Sequence, residues 1–167
     1  MEDINIQIVD ILKNKGLTLA VAESLTGGLV CAAICQVQGA SEVLLEGIVS
    51  YTNESKRTRL GVDKNTLDTY SAVSLQVAEE MARGVKKNLS ADIGISTTGV
   101  AGPGETDENG NPRGLVYIGI STSKEMIVSK HIFEGTRNVI REKARDACLD
   151  RLYEMLDEKE RKEHDRF

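Results

Sequence analysis

Helix-type and strand-type patterns alternate along most of this chain, and that alternation limits the folds open to it. We predict helices at residues 4–14, 29–37, 53–60, 75–89 and 138–156. Gly16 and Gly61 are the expected C-caps of the first and third helices, and Asn53 is the expected N-cap of the third. Shorter apolar runs predict strands at residues 17–22, 45–51, 92–98, 115–121 and 126–133. The last two strands follow each other without a helix and predict a hairpin. The pattern therefore favours an α/β fold, a three-layer sandwich whose sheet is mixed.

The length of 167 residues is that of one ordinary domain, and the chain contains neither an internal repeat nor a low-complexity linker. We expect a single domain over residues 1–156. Residues 157–167 are almost all charged, with five acids and four bases that nearly cancel. We expect this segment to be a frayed, solvated tail.

Charge and cysteine content exclude several classes of function. The formal net charge of −5 argues against a surface that follows nucleic-acid phosphates. Because no secretory signal or run of 18 apolar residues is present, we expect a cytoplasmic protein that does not act at a membrane. Cys31 and Cys35 are one helical turn apart, but cysteines in such apolar surroundings are usually small core residues. No metal-binding motif is present, so we expect neither a metal nor another cofactor.

Three loops follow predicted strands and contain hydroxyl groups or glycines, at residues 22–28, 50–56 and 98–104. Loops at the carboxyl ends of parallel strands meet in one crevice, so these three predict a common site. The first loop also begins a helix, where free backbone N–H groups favour an anion or a developing oxyanion.

Ser24 in the first loop is the candidate nucleophile, and a serine needs a base to become reactive. The chain has only two histidines, His131 in a predicted strand and His164 in the predicted tail. A lysine with a lowered pKa can act instead, and Lys56 is the lysine nearest a conspicuous loop. The residues alone leave a second interpretation open, in which Ser24 caps the following helix and Lys56 is a solvated helix residue.

Seven motifs match a known family in order along the chain: AESLTGG at 22–28, GAS at 39–41, SYTNESK at 50–56, AVS at 72–74, TGVAGPG at 98–104, RGLVYIG at 113–119 and FEGTRNVIR at 133–141. On these motifs the sequence resembles the CinA C-terminal domain family, whose single-domain members include bacterial nicotinamide mononucleotide amidohydrolases. The resemblance implies three α/β/α layers around a mixed, mostly parallel five-stranded sheet. It also implies hydrolysis of nicotinamide mononucleotide to nicotinate mononucleotide and ammonia.

The resemblance further implies roles for individual residues. Ser24 and Lys56 would be the nucleophile and the base, and Tyr51 would orient Lys56 or the nicotinamide ring. The resemblance places Ser41, Thr98 and Arg137 in the substrate site, and we expect the other substrate contacts from Thr26, Gly27, Gly28, Gly99, Gly102 and Arg141. Within this set the N–H groups of residues 26–28 would stabilise the oxyanion, and Ser41 would lie beside Tyr51. The turn with Thr98 would hold ribose and phosphate, and Arg137, with Arg141 one turn on, would bind the phosphate.

Two alternatives stay open beside an amidohydrolase of nicotinamide mononucleotide. One is a nucleotide-binding or partner-binding module without catalysis, because the family also occurs fused to another domain in competence-associated proteins. The other is a hydrolase of a different amide. The chain has Leu25 where many members have cysteine, and its loop at residues 105–113 is more acidic, with Glu105, Asp107 and Glu108. The resemblance favours a homodimer, in which Arg137 would act in its own or in a neighbouring subunit's site.

Overall fold

The computed structural model describes the backbone of residues 3–164 and the side chains of residues 3–157. Helices and strands alternate within these residues up to the third strand. In chain order the elements are α1 (Ile4–Lys15), β1 (Leu19–Glu23), α2 (Leu29–Cys35), β2 (Leu44–Val49), α3 (Asn53–Leu60), α4 (Lys64–Tyr70), α5 (Leu75–Leu89), β3 (Ile93–Gly99), β4 (Leu115–Ser121), β5 (Met126–Ile132) and α6 (Arg137–His164). A short 3-10 turn, Ala40–Glu42, precedes β2.

The five strands form one sheet in the order β2-β1-β3-β4-β5. Strand β1 pairs in parallel with β2 on one side and with β3 on the other. Strands β3, β4 and β5 pair antiparallel, so only β4 runs against the other four. The sheet is therefore mixed and mostly parallel, as predicted, and the hairpin β4–β5 supplies the antiparallel part.

Helices cover both faces of the sheet. Side chains of successive strand residues point to opposite faces, so a strand of apolar residues supplies both faces with side chains to be covered. Leu19 and Val21 of β1 belong to the core that α1, α2 and α6 cover. Ala20 and Ala22 belong to the core that α3, α4 and α5 cover. The sequence pattern thus gives the three-layer α/β/α sandwich that was predicted, with a hydrophobic core on each side of the sheet.

Helix α5 lies very close to the middle of the sheet. A Cβ atom at Gly94 of β3 would lie 2.2 Å from the carbonyl oxygen of Ala82, and one at Gly119 of β4 would lie 2.6 Å from that of Ala78. Such contacts are far inside the normal packing distance, so these two positions accept no side chain. The hydroxyl of Ser96 donates a hydrogen bond to the same Ala78 carbonyl.

The helix ends largely follow the local sequence, with some corrections. Gly16 closes α1 in the left-handed conformation at φ 61°, as the C-cap prediction requires. The N-cap of α3 is Thr52 instead of the predicted Asn53, because the Thr52 hydroxyl accepts the N–H of Ser55. The last helix does not end at Leu156, since its backbone remains helical to His164. Residues 165–167 of the predicted tail lie outside the described residues.

The cysteines differ in their surroundings. Cys31 is partly buried against the core, which agrees with the expected small core residue, and Cys148 is also buried. Cys35 is exposed, which corrects the prediction for that position. Cys35 is the last residue of α2 and borders a surface cavity with Val37 and Leu44.

Candidate active site

Ser24 directly follows β1, and the end of that strand determines its position. The N–H of Ser24 donates to the carbonyl oxygen of Thr97 at 3.0 Å, which extends the pairing of β1 with β3 by one residue. Ser24 is 8% exposed, so its hydroxyl lies at the inner end of a cleft and not on the open surface.

Lys56 lies on α3, and its side chain enters the same cleft. Its Nζ atom donates to Ser24 Oγ at 3.1 Å and to the carbonyl oxygen of Ser50 at 2.9 Å. Lys56 is 1% exposed, and none of the ion pairs between described residues includes it. Burial without a counter-charge disfavours the ammonium form, and it lowers the Lys56 pKa from 10.5 to about 8. An amine of this kind can take a proton near neutral pH.

The cleft opens into a cavity of about 390 Å³ at the carboxyl ends of β1 and β3. This volume is within the range of roughly 300–1,000 Å³ of small-molecule sites. Its walls come from all three predicted loops and from three further segments: Ser24, Leu25, Tyr51, Lys56, Ala72, Val73, Thr98, Gly99, Val100, Ala101, Gly102, Asp107 and Arg137. Topology therefore brings together the three loops that the sequence singled out.

Arg137 and Tyr51 close one side of this cavity. The Arg137 guanidinium donates from Nη2 to the Tyr51 hydroxyl at 2.7 Å and from Nη1 to the Gly102 carbonyl oxygen. Arg137 therefore reaches the cavity of its own chain. Tyr51 bonds to Arg137 and forms no hydrogen bond with Lys56, so the structure does not give it the predicted role of orienting that lysine.

Thr98 lines the floor of the cavity and is 1% exposed. Its hydroxyl donates to the carbonyl oxygen of Ala72 at 2.7 Å, and this bond ties β3 to the segment before α5. The hydroxyl oxygen retains lone pairs for a ligand, although its proton is already engaged. Gly99 and Gly102 also line the cavity, as predicted for the glycine-rich turn.

Arg141 does not have the predicted position beside Arg137. Its Nε atom donates to the carbonyl oxygen of Leu25 at 2.8 Å and its Nη2 atom to that of Thr26 at 3.1 Å. A Cβ atom at Gly27 would lie 3.2 Å from the same Nη2 atom. Because these N–H groups already donate to the loop backbone, Arg141 holds the loop and is not oriented toward a phosphate in the cavity.

The start of α2 is occupied by a side chain that the sequence reasoning passed over. Glu23 is fully buried, and its carboxylate accepts the N–H groups of Gly28, Val30 and Cys31 at 2.8, 3.2 and 2.9 Å. The N–H of Gly27 is also engaged, by the Ser24 carbonyl oxygen. The predicted oxyanion donors at Gly27 and Gly28 are therefore used internally. A carboxylate inside an apolar run was the signal that could have identified Glu23.

Thr26 and Ser41 also lie elsewhere than predicted. The Thr26 hydroxyl is buried and shares a hydrogen bond of 2.7 Å with the Thr97 hydroxyl, which joins the loop to β3. Ser41 is exposed in the 3-10 turn before β2. Since β1 and β2 are parallel, the start of β2 is at the opposite end of the sheet from Ser24. At about 3.3 Å per strand residue the separation is roughly 15 Å, so Ser41 lines no part of this cavity.

The acidic loop at residues 105–113 brings one carboxylate to the cavity wall. Asp107 lines the cavity, and its Oδ1 atom accepts the N–H groups of Asn109 and Asn111. The Asn111 side chain bonds to the other Asp107 oxygen and to the Ser71 hydroxyl. Glu105 and Glu108 are exposed and do not line the cavity. Of the three acids, only Asp107 therefore adds negative charge beside a ligand.

The described residues contain no group of three or more histidine, cysteine, aspartate or glutamate side chains that could hold a metal ion. None of the helices within residues 3–164 combines the length and apolar character that a membrane span requires.

Fold and site together define a three-layer α/β/α domain with a buried serine–lysine pair at the carboxyl ends of two parallel strands. Comparison with known proteins gives its family. Residues 1–156 match the CinA C-terminal domain, and the chain belongs to that family.

Sequence relatives carry the same domain within longer chains. A protein of Clostridioides difficile, provisionally named a competence-damage inducible protein, is 52% identical over 142 residues, which are 85% of this chain and 34% of the relative. A CinA-like protein of Kosmotoga olearia is 48% identical over 144 residues, 86% of this chain and 34% of the relative. The chain thus spans about a third of the length of these relatives.

Solved structures of similar size share the fold. A CinA superfamily protein of Klebsiella pneumoniae superposes with a TM-score of 0.89 at 31% identity, over 93% of this chain and 96% of the other. A competence/damage inducible protein of Agrobacterium tumefaciens gives a TM-score of 0.87 at 33% identity, over 92% and 93% of the two chains.

Proposed function

We propose that this domain is an amidohydrolase that converts nicotinamide mononucleotide to nicotinate mononucleotide and ammonia through a serine–lysine acyl-enzyme mechanism. The observation that carries the proposal is the contact between Lys56 Nζ and Ser24 Oγ at 3.1 Å, inside a cavity large enough for a mononucleotide. A buried lysine without an acidic partner destabilises the fold, and lysines with a pKa lowered in this way are concentrated at functional sites, where they can activate a serine.

The first half-reaction forms the acyl-enzyme. Neutral Lys56 takes the proton of Ser24, and Oγ attacks the carboxamide carbon. The carbonyl oxygen becomes an oxyanion, for which the N–H groups of Leu25 and Thr26 are the donors of this loop that have no partner among the described residues. The tetrahedral intermediate collapses, the C–N bond breaks, and the lysinium proton goes to the leaving nitrogen, which departs as ammonia.

The second half-reaction regenerates Ser24. Lys56, neutral again, takes a proton from a water molecule that attacks the acyl carbon. Collapse of the second intermediate breaks the ester bond, the proton returns from Lys56 to Ser24 Oγ, and the product acid gives its remaining proton to water and leaves as the nicotinate carboxylate. No cofactor takes part in this sequence, because every proton and electron pair moves between substrate, water and these two side chains.

Substrate binding in this proposal uses the side of the cavity that Arg137 and Tyr51 close. Arg137 exchanges its bonds to Tyr51 and Gly102 for the phosphate of the nucleotide, to which a guanidinium binds in a bidentate manner. The start of α2 is not available for the phosphate, since Glu23 occupies it. Thr98, with Gly99 and the following turn, faces the ribose.

Ammonia release from nicotinamide mononucleotide tests the proposal, with Ser24→Ala as the control for the nucleophile. Release that persists in Ser24→Ala would contradict it. Binding of the nucleotide without any ammonia release would favour the non-catalytic alternative. Ammonia release from other carboxamides, and none from nicotinamide mononucleotide, would favour a different substrate, with the Asp107 carboxylate as the first residue to examine.

We further propose that the domain forms a homodimer through the edge strand β2. Leu45 and Val49 on this strand are 47% and 50% exposed, and β2 pairs with only one other strand of the described sheet. An apolar edge of this kind is protected in stable proteins by a neighbouring chain or element. Light scattering after size-exclusion chromatography would give the mass, and Leu45→Lys should convert a dimer to a monomer.

A further inference from the structure

Glu23 is a buried carboxylate that accepts three backbone N–H groups of the following helix and also bonds to the Cys31 side chain. It is the last residue of β1 and is fully buried. Oε2 accepts the N–H groups of Gly28 and Val30, and Oε1 accepts that of Cys31. No ion pair between described residues includes Glu23. The positive end of the α2 dipole therefore supplies the counter-charge.

This contact replaces an ordinary helix cap. The N-cap residue of α2 is Gly28, which has no side chain to accept an N–H group of the first turn. Glu23 performs that task from five positions upstream. As a result, one side chain joins the end of β1 to the start of α2 and closes residues 24–27 into a short loop that contains the nucleophile.

A second charged side chain holds the same loop through its carbonyl groups. Arg141 donates to the carbonyl oxygens of Leu25 and Thr26, while Glu23 takes N–H groups of the helix that follows. The Ser24 N–H is used by Thr97, and the Gly27 N–H by Ser24. Within residues 24–28 this leaves the N–H groups of Leu25 and Thr26 without a partner in the described structure. Leu25 also lines the cavity, beside Ser24.

We propose that Glu23 is a positioning residue for the reaction, because its contact with α2 holds Ser24 Oγ and the Leu25 N–H in the geometry that attack and oxyanion stabilisation require. This inference rests on the proposed amidohydrolase function. Glu23 touches neither substrate nor base, since both of its oxygens are directed at α2. Its contribution is to the rate of the chemical step and not to substrate binding.

The variant Glu23→Gln tests this role with little change in volume. Glutamine has one acceptor oxygen where glutamate has two, and its NH₂ group would face N–H groups of α2. We expect kcat for ammonia release to fall by about 100-fold, the size of effect that displaced catalytic groups produce. KM should remain within about twofold, and the pH at half-maximal activity should not move. A shifted pH profile would contradict a positioning role and indicate proton transfer.

Two further variants separate positioning from general stability. Asp63→Ala removes the N-cap of α4 at a position that does not line the cavity, and it should leave kcat unchanged. Glu23→Asp keeps the charge but is shorter by one methylene, so it should fold if Glu23→Gln does not and should give an intermediate kcat.

Rates are expressed per competent site, counted by reaction of Ser24 with a fluorophosphonate probe. In that reaction the Oγ–P bond forms, fluoride leaves, and Lys56 takes the serine proton.

The outcomes for Glu23 and for the proposed function are distinct. Wild-type protein that releases ammonia, together with a Glu23→Gln variant of the same kcat per competent site, would overturn the positioning role alone. Wild-type protein that neither releases ammonia nor reacts with the probe would overturn the proposed function, and the role of Glu23 with it. Slow probe labelling of Glu23→Gln beside fast labelling of Asp63→Ala would support the inference.

Discussion

Lys56 Nζ lies 3.1 Å from Ser24 Oγ, although the two residues are 32 positions apart in the chain. Ser24 follows β1, and Lys56 occupies the first turn of the helix that follows β2. The parallel pairing of β1 with β2 brings the carboxyl ends of both strands to one edge of the sheet. The pair is therefore a product of strand topology.

Ser24→Ala should lower ammonia release by roughly 10⁴-fold or more, because no other described group in the cavity is a nucleophile placed against Lys56. Thermal stability should change little, since only one hydroxyl is removed. Continuous ammonia detection under saturating nucleotide measures the effect. Ser123→Ala, in the exposed turn between β4 and β5, is the matched control and should behave as wild type.

Activity should rise with pH around the Lys56 pKa of about 8. The base acts in its neutral form, so kcat/KM should fall about tenfold per pH unit on the acid side and level off above the pKa. A pH–rate profile from pH 5.5 to 9.5 measures this. Lys56→Arg should be nearly inactive at every pH in that range, because arginine does not release its proton. A flat profile for the wild type would contradict the assignment of Lys56 as base.

Lys56→Met should abolish activity and yet stabilise the fold at pH 7. In the folded state burial lowers the Lys56 pKa from 10.5 to about 8, so below pH 8 the lysine destabilises the protein by roughly 3 kcal/mol. The unfolded chain binds more protons between pH 8 and 10.5, and the wild-type free energy of unfolding should therefore rise with pH in that window. Methionine removes this penalty but leaves the Ser50 carbonyl without a donor, which costs about 1 kcal/mol. Urea unfolding should show a net gain of about 2 kcal/mol.

Arg137→Met should raise KM for nicotinamide mononucleotide by about 10- to 100-fold and leave kcat within a few-fold, because it removes the proposed phosphate contact, which would be present before and during the reaction. Initial-rate kinetics separate the two constants. With nicotinamide riboside, which lacks the phosphate, wild type and variant should have similar kcat/KM. An equal loss on both substrates would instead assign Arg137 to the chemical step.

Arg141→Met should show the opposite pattern. Its guanidinium holds the carbonyl oxygens of Leu25 and Thr26, so its loss loosens the nucleophile loop without removing a ligand contact. We expect kcat to fall by about 10-fold or more and KM to change less than twofold, together with a lower melting temperature. A raised KM with unchanged kcat would restore the phosphate-binding role that the sequence predicted.

Local sequence patterns predicted helices and helix ends well where these depend on residues adjacent in the chain. The period of apolar residues identified α1 and α5, and the left-handed glycines Gly16 and Gly61 end α1 and α3 as expected. The end of α6 was missed because the charged segment after Leu156 has no apolar period, yet its backbone continues the helix. Period alone does not locate the end of a helix that continues beyond the core.

The site was predicted in its loops but not in all of its contacts. Arg137 and Arg141 are one helical turn apart on α6 and were assigned one task. The fold separates them, since Arg137 reaches Gly102 and Tyr51 while Arg141 reaches Leu25 and Thr26. Side chains one helical turn apart differ in direction and in position along the helix axis, so they can contact different loops. The sequence alone does not show where those loops lie.

The sequence by itself determined which residues have the chemistry: a serine before two glycines, a lysine in place of scarce histidines, and arginines at the start of a helix. Only the tertiary structure decided which groups these residues contact and how deeply they are buried. Ser24 and Lys56 become a pair because parallel strands end at one edge, and burial without a counter-charge lowers the Lys56 pKa to about 8. Glu23 becomes the cap of α2 because Gly28 offers no side chain. Each outcome depends on desolvation and on contacts between distant segments, which no local pattern of residues contains.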